Sequence, residues 1–106
     1  MPEPVVRISQ GFFEAQLVSE VESKLQEGKK SLEPAIRALN GLLHYYVSID
    51  GTTGSMVNVS VWTSMYHARQ MESLKEMLSQ RDVFVTLGVK FQPIRNYSGL
   101  WSIEKS

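Results

Sequence analysis

Cysteine is absent from the 106 residues, and so is any excess of charge of one sign. Without a thiol the chain has no disulfide, no thiolate nucleophile, no zinc–thiolate site and no cysteine-ligated iron–sulfur cluster. Eleven basic residues balance eleven acidic ones, which argues against a protein that binds nucleic acid through counterion release. The two histidines, without an acidic cluster, give no metal site either. We therefore expect neither nucleic acid nor a metal as a partner.

Long hydrophobic runs are also missing. No stretch approaches the roughly 20 apolar residues that a membrane helix requires, and the first residues lack the basic and apolar regions of a signal peptide. The sequence therefore predicts a protein without a membrane partner, located in the cytoplasm. With 42% hydrophobic and 21% charged residues, the composition is typical of a single globular domain, which we expect to span residues 1–106.

The hydrophobic pattern predicts alternating strands and helices. In chain order these are a strand at 5–9, a helix from Phe13 to a stop at Gly28, a short helical piece at 31–39, strands at 42–49 and 56–63 joined by a turn, a helix capped by Thr63 or Ser64 and reaching Leu78, a further helical turn at 82–87, and a strand at 94–103. The order strand, helix, strand, strand, helix, strand folds most simply as a ferredoxin-like, four-stranded antiparallel sheet with helices on one face. The predicted fold class is α+β.

Period-two alternation assigns the strand residues to two faces of this sheet. The first face takes Leu43, Tyr45, Val47, Ile49, Val57, Val59 and Val61, and the second takes Arg7, Leu42, His44, Tyr46, Ser48, Met56, Asn58, Ser60 and Trp62. Helices on one side cover one face only, and the second face carries too much apolar surface to stay exposed. We therefore expect either a homodimer through this sheet face or a ligand pocket against it.

The segment Val-Asn-Val-Ser-Val-Trp-Thr-Ser at 57–64, followed by a helix that carries Ala and Met, resembles the antibiotic biosynthesis monooxygenase-like (ABM) proteins. The resemblance extends from about Val5 to Ile103, and the segment 93–101 is similar to the closing strand of an uncharacterised branch. It implies a dimeric α+β barrel on the ferredoxin-like order. It also implies oxidation of polycyclic phenols by O₂ without metal or flavin, and therefore no cofactor.

Two strand residues match the pattern of these monooxygenases, which place an Asn and a Trp four residues apart. The resemblance implies a catalytic role for Asn58 and Trp62, in which the amide hydrogen-bonds a developing oxyanion and the indole packs against the substrate ring. The structural alternative is that Trp62 plugs the end of the barrel while Asn58 forms hydrogen bonds across a subunit interface. Both alternatives stay open at the level of sequence.

Candidate residues on the second helix follow from the same comparison. The helical Tyr of the family falls near Ala68, with Tyr66 two residues away, and its downstream Arg is approximated by Arg81. Haem-degrading relatives carry an iron-ligating His about ten residues beyond the Trp, whereas His67 lies at half that distance. Haem degradation is therefore disfavoured, and Tyr66 and His67 are candidate substrate-binding residues. For His67 a hydrogen-bonded core position is the alternative.

Arg7, His44 and Tyr46 complete the candidate binding residues, because alternation places them on one face. Arg7 and His44 would bind an anionic phenolate or carboxylate, with the guanidinium as the permanent charge. A polar dimer interface is the alternative. Two functions result: a cofactor-independent monooxygenase acting on a small aromatic or enolisable substrate, and a non-catalytic ligand-binding or structural dimer of the same fold.

Overall fold

A computed structural model describes residues 3–105 of the chain. Its elements in chain order are β1 (Val5–Phe12), a 3₁₀ turn (Ala15–Leu17), α1 (Val18–Arg37), β2 (Leu42–Asp50), β3 (Ser55–Trp62), α2 (Met65–Ala68), a second 3₁₀ turn (Arg69–Glu72), α3 (Lys75–Leu87), β4 (Lys90–Phe91) and β5 (Arg95–Ser98). The α+β class and the ferredoxin-like order are confirmed. Within residues 3–105, no helix has both the length and the apolar character needed to cross a membrane.

The sheet is antiparallel throughout and has β1 at its centre. On one side β1 pairs with β3, which pairs in turn with β2, and on the other side it pairs with both β4 and β5. The predicted last strand at 94–103 therefore begins earlier, at Lys90, ends earlier, at Ser98, and is interrupted around Pro93. Proline cannot donate a hydrogen bond to a strand ladder, which accounts for the interruption at that position.

The first helix is longer than the sequence pattern predicts. A stop at Gly28 and a separate piece at 31–39 are wrong, because α1 runs without a break through both Gly28 and Pro34. Gly28 is buried against α3, where a Cβ atom would meet the side-chain amide of Gln80. The glycine therefore serves close helix packing and does not end the helix.

The second predicted helix begins where expected but is divided. Ser64 caps α2, since its Oγ accepts a hydrogen bond from the backbone N–H of His67 at 3.2 Å. The side chain of Gln70 then donates to the carbonyls of His67 and Asn40. Side-chain hydrogen bonds of this kind compete with a continuing helix, and α3 starts afresh at Lys75.

The register of the hairpin corrects the predicted faces of β2. Asp50 pairs with Ser55 across a four-residue loop, so odd-numbered residues of β2 lie opposite even-numbered residues of β3. Tyr45 is thus opposite Ser60, whereas Tyr46 is opposite Val59. A shift of one residue moves every side chain of a strand to the other face. The predicted grouping of His44 and Tyr46 with Arg7 is therefore wrong.

The two faces of the sheet can now be defined by their residues. The covered face, beneath the helices, consists of Val5, Arg7, Ser9, Tyr45, Val47, Ile49, Met56, Asn58, Ser60 and Trp62, and the open face consists of Val6, Ile8, His44, Tyr46, Val57, Val59, Val61, Arg95 and Tyr97. Trp62 and Met56 are buried by the helices. The helices of this chain thus cover the mixed polar and apolar face around Arg7. The valine-rich open face has no helix against it.

Candidate functional site

A cavity of about 1170 Å³ lies between the helices and the covered face. The helices reach the sheet through two separate hydrophobic clusters, one around Trp62 and one around Phe84. The cavity borders both clusters. Its apolar wall includes Leu25, Leu32, Ile36, Met56, Met71, Met77 and Phe84. A cavity of this size, with apolar walls and a few polar groups, is the usual form of a small-molecule site.

Arg7 places a positive charge in the wall of this cavity. Its residue is 6% exposed, and its Nη1 donates a hydrogen bond to Oδ1 of Asn96 at 3.2 Å. Burial lowers the pKa of Arg7, and the carboxylate of Glu72 partly opposes this shift. The ion pairs within residues 3–105 all join residues of α1, and none includes Arg7. Because buried charges are normally paired, this guanidinium is suited to an anionic ligand.

Two polar atoms on the covered face complete the site. Within residues 3–105, the hydroxyl of Tyr45 and Oδ1 of Asn58 are buried and have no hydrogen-bond partner. Both residues line the cavity. Burial raises the pKa of Tyr45 to about 12, so its phenol is neutral and keeps its proton at neutral pH. Sequence reasoning missed Tyr45 because it assigned β2 to the wrong face; the length of the hairpin loop was the signal that would have placed it.

Trp62, the predicted partner of Asn58, lies in the hydrophobic core and is not part of the cavity wall. Its residue is fully buried, and its Nε1 donates a hydrogen bond to Oγ of Ser60 at 2.8 Å. The structure therefore puts Arg7 and Asn58 in one cavity and gives Trp62 surroundings that match the structural alternative.

His44 and Tyr46 lie away from Arg7, although His44 borders the cavity. Their rings stack with centroids 5.9 Å apart on the open face, and Tyr46 is 53% exposed. Arg7 and His44 were predicted to bind one anion together. The structure instead places them on opposite faces of the sheet.

Tyr66 and His67 stand at the start of α2, outside the cavity wall. Tyr66 is 80% exposed. The Nδ1 of His67 lies 2.8 Å from Oγ of Ser64 and 3.2 Å from Oγ1 of Thr63, which ties the ring to the helix cap. This is the hydrogen-bonded position that was the alternative for His67. In the described part of the chain, no group of three His, Asp or Glu residues is placed to hold a metal ion.

Two further residues of the site come from later elements. Asn96 on β5 lies opposite Arg7 in the sheet register and fixes the guanidinium. Arg81 on α3 lines the cavity with its guanidinium carbon 4.6 Å from the centre of the Phe91 ring. The resemblance had already singled out Arg81 as the downstream Arg. Asn96 does not follow from local sequence pattern, because its position depends on how β5 returns to the centre of the sheet.

Comparison with known proteins gives similarity of structure without similarity of sequence. No family model matches the chain, and no curated protein matches it. A protein of Deinococcus radiodurans, provisionally assigned as an antibiotic biosynthesis monooxygenase, superimposes with a TM-score of 0.73 at 18% identity, over 96% of this chain and 98% of its own. SnoaB, a cofactor-independent oxygenase from Streptomyces nogalater, superimposes with a TM-score of 0.67 at 12% identity, over 97% and 99%.

A third similar structure is Rv0793 from Mycobacterium tuberculosis, with a TM-score of 0.65 at 17% identity, over 98% of this chain and 100% of that protein. Matches of this extent include every element from β1 to β5. At such low identity the matches establish the fold, and the chemistry must be inferred from the residues of the site. The chain has the ferredoxin-like fold of the ABM proteins.

Proposed function

We propose that the cavity binds a small aromatic or enolisable molecule as its anion, and that the protein oxidises this molecule with O₂ without a bound cofactor. The observation that carries the proposal is the buried guanidinium of Arg7, which lines a cavity with partly apolar walls and has no ion-pair partner within 4 Å among residues 3–105. The shared fold with SnoaB, a cofactor-independent oxygenase, supports the class of reaction.

The chemistry requires little from the protein beyond binding and charge. A cation in an apolar site lowers the pKa of a bound phenol or enol, so that the electron-rich anion accumulates. Such an anion supplies the electrons for O₂. When an activated CH₂ group becomes C=O, one oxygen atom enters the product, the other leaves as water, and the substrate provides all the electrons. In this proposal Arg7 stabilises the anion, Asn96 holds Arg7 in place, and the helices exclude water.

The test is oxygen consumption with a panel of hydroxyquinols, comparing wild type with Arg7→Gln. Loss of the buried charge should lower kcat/KM at least tenfold, since a charged hydrogen bond at a buried site is worth about 1.5–3 kcal/mol. Arg69→Gln, a change of the same kind at an exposed residue outside the cavity, is the matched control and should leave kcat/KM unchanged. Equal activity of the two variants would contradict the role of Arg7.

A non-catalytic ligand-binding protein is the second candidate, and the position of Trp62 favours it. The resemblance assigns that indole to the substrate ring, yet here it belongs to the core. Anaerobic calorimetry with the same panel separates the candidates. Binding without any oxygen uptake on readmission of air would leave ligand binding as the function.

We also propose a homodimer formed through the open face. Val57, Val59 and Val61 form an apolar row there, flanked by Val6 and Ile8. Tyr46 and Tyr97 add further exposed aromatic surface, at 53% and 49% exposure. An apolar row of this kind suits a second copy related by a two-fold axis, because each row then packs against its own equivalent.

A further inference from the structure

We propose that Glu72 is the proton acceptor of the cavity, and that it takes the proton of an acidic ligand hydroxyl when the ligand binds beside Arg7 as an anion. In this step the O–H bond of the ligand breaks, an O–H bond forms on the carboxylate of Glu72, and the electron pair stays on the ligand oxygen. The ligand thus enters as a neutral phenol or enol, and binding releases no proton to the solvent. The inference rests on the proposed function in taking an acidic hydroxyl compound as the ligand, but it does not require oxidation.

The first support is the placement of Glu72 near Arg7. Both residues line the cavity. Met71 is buried in the hydrophobic cluster that also contains Val5, and Glu72 is the next residue along the chain. Arg7 lies two residues beyond Val5 on the covered face. No ion pair within 4 Å joins Arg7 to Glu72, so a ligand hydroxyl bound at the guanidinium has the carboxylate close by and unpaired with it.

The turn that carries Glu72 is held in place from both sides. It spans Arg69–Glu72, and the side chain of Gln70 donates hydrogen bonds to the carbonyls of Asn40 at 2.8 Å and His67 at 2.7 Å. The first bond ties the turn to the loop after α1, and the second ties it to α2. The carboxylate therefore stands on a fixed backbone, as a group that exchanges a proton with a ligand requires.

The second support is the balance of charge at this part of the cavity. Burial lowers the pKa of Arg7, and Glu72 is the carboxylate whose charge opposes this shift. One cation and one anion thus balance before any ligand is present. A ligand anion would place two negative charges beside one positive charge, and such an arrangement favours the neutral form of one of the two acids. A proton kept on Glu72 restores the balance.

The third support comes from the other ionisable side chains of the cavity wall, several of which cannot accept a proton. Glu33 lies 2.8 Å from Arg37 and 3.9 Å from Lys29, and the hydrogen bond from Arg37 lowers the pKa of Glu33. Burial raises the pKa of Tyr45 to about 12, so its phenol already holds a proton. These groups are therefore poor acceptors for a ligand proton.

Three ionisable groups of the wall remain besides Arg7 and Glu72, and none is better placed. Arg81 is a cation over the Phe91 ring, His44 belongs to the open face, and Glu22 lies on α1 and is not among the groups that shift the pKa of Arg7. Glu72 is also exposed. A proton taken from the ligand can therefore pass to the solvent once the ligand has left.

The experiment measures proton release when para-nitrophenol binds in weakly acidic buffer, where the free phenol is mostly neutral. Calorimetry in two buffers of different ionisation enthalpy counts the protons, and the visible absorption of the phenolate reports the state of the bound ligand. Wild type should bind the phenolate without releasing a proton, so its affinity should not change with pH in this range. Glu72→Gln should bind the phenolate with release of about one proton, so its affinity should rise about tenfold for each pH unit.

Control variants separate this role from a general loss of charge. Glu76→Gln, the same change at a residue of α3 outside the cavity wall, is the matched control and should behave as wild type. Because Glu72 is exposed, Glu72→Gln should also keep the Tm of wild type. An unchanged Tm with altered proton release identifies an effect on the ligand and excludes damage to the fold.

Four results would overturn the inference: no binding of the probe, binding of the neutral phenol, release of a proton by wild type, and a Glu72→Gln variant that releases none. Transfer of the effect to Glu22→Gln would move the role to that carboxylate and equally contradict it. Proton retention without oxygen uptake in air would keep the role of Glu72 and remove the oxygenase proposal. Oxygen uptake that depends on Arg7 but shows no proton retention would do the reverse, so the two failures are distinguishable.

Discussion

Trp62 and Arg7 are both buried on the covered face, yet their surroundings give them different roles. The indole N–H is satisfied by Ser60 inside a cluster that includes Ile36 and Met71. The guanidinium donates to one neutral amide, that of Asn96, is partly stabilised by the charge of Glu72, and lines a cavity. A buried group with its hydrogen bonds complete stabilises the fold, whereas a buried charge beside open space is suited to a ligand.

Trp62→Phe tests this distinction. The smaller ring leaves a void in the core, and we expect the free energy of unfolding to fall by about 1–3 kcal/mol in urea titrations. Affinity for a dihydroxynaphthalene should stay within twofold of wild type, because the indole does not line the cavity. Unchanged stability together with lost affinity would show that the ring contacts the ligand after all.

Single residues were predictable to different degrees. Strand alternation placed Arg7 and Asn58 on one face, for which either a dimer interface or a ligand pocket was expected, and both line the cavity. His44 and Tyr46 were expected beside them, and Tyr45 was not, because alternation within a strand is independent of the register between strands. Asn96 could not be found at all, since its contact with Arg7 spans 89 positions of sequence.

At the scale of elements, the loop of the β2–β3 hairpin determines which residues face the cavity. Asp50 organises this loop by accepting hydrogen bonds from Oγ1 of Thr53 at 2.8 Å and from the backbone N–H of Thr52 at 3.0 Å. The loop fixes the pairing of Asp50 with Ser55, and that pairing sets the register of the whole hairpin. A change in the length of the loop should therefore change the face of the sheet on which Tyr45 lies.

Asp50→Asn should make stability less sensitive to acid. The side-chain hydroxyl of Thr53, and then the backbone N–H groups of Thr53 and Thr52, lower the pKa of Asp50 below its ordinary value. The stabilisation is thus complete above the ordinary pKa and disappears as the pH falls through the lowered one. Urea midpoints should differ between wild type and variant at about pH 7 and converge as the pH falls below the lowered pKa of Asp50. A difference that persists or grows in acid would contradict this origin.

Two glycines, one in the hairpin loop and one in α1, should respond differently to replacement by alanine. Gly54 has a φ of +75°, and a Cβ there would meet the backbone carbonyl of Phe13, which cannot move aside. Gly54→Ala should therefore lower the free energy of unfolding by more than about 2 kcal/mol. Gly28→Ala meets only the flexible end of Gln80 and gains helix propensity, so it should cost less than about 0.5 kcal/mol or stabilise. Equal losses in urea titrations would refute the distinction.

Among the elements, those with a strong local signal were predicted well. The hairpin and the Ser64 cap follow from turn chemistry and capping preference. The stop at Gly28 was wrong because glycine has two uses, ending a helix or allowing another helix close, and only the tertiary contact with Gln80 tells them apart. The division of the last strand around Pro93 likewise reflects its pairing at two separate parts of β1.

At the scale of the whole molecule, the fold covers one face of its sheet and leaves a cavity beneath the helices. The helices cover one face only, so we expect the valine-rich face to be buried against another molecule. The cavity lies beneath the helices and the valine row lies on the opposite side of the sheet, although His44 and Ser48 of the open face also border the cavity. We therefore propose separate functions for the cavity and the valine row.

The proposed dimer has a direct test by light scattering at micromolar concentration. The expected mass is twice 12.0 kDa. Val59→Lys on the open face should give a folded monomer, because the substitution places charge in the centre of the apolar row. Ser48→Lys, at an exposed residue nearer the loop of the same face, should disturb the assembly less. A monomeric wild type would contradict the proposal.

We expect ligand to bind beneath the helices, on the face that carries Arg7. Methyl NMR tests it most directly, because the chain has methionine probes in the cavity wall and valine probes on the open face. Titration with a dihydroxynaphthalene should shift the methyl signals of Met56, Met71 and Met77 and leave those of Val57, Val59 and Val61 unchanged. Shifts confined to the valines would contradict it.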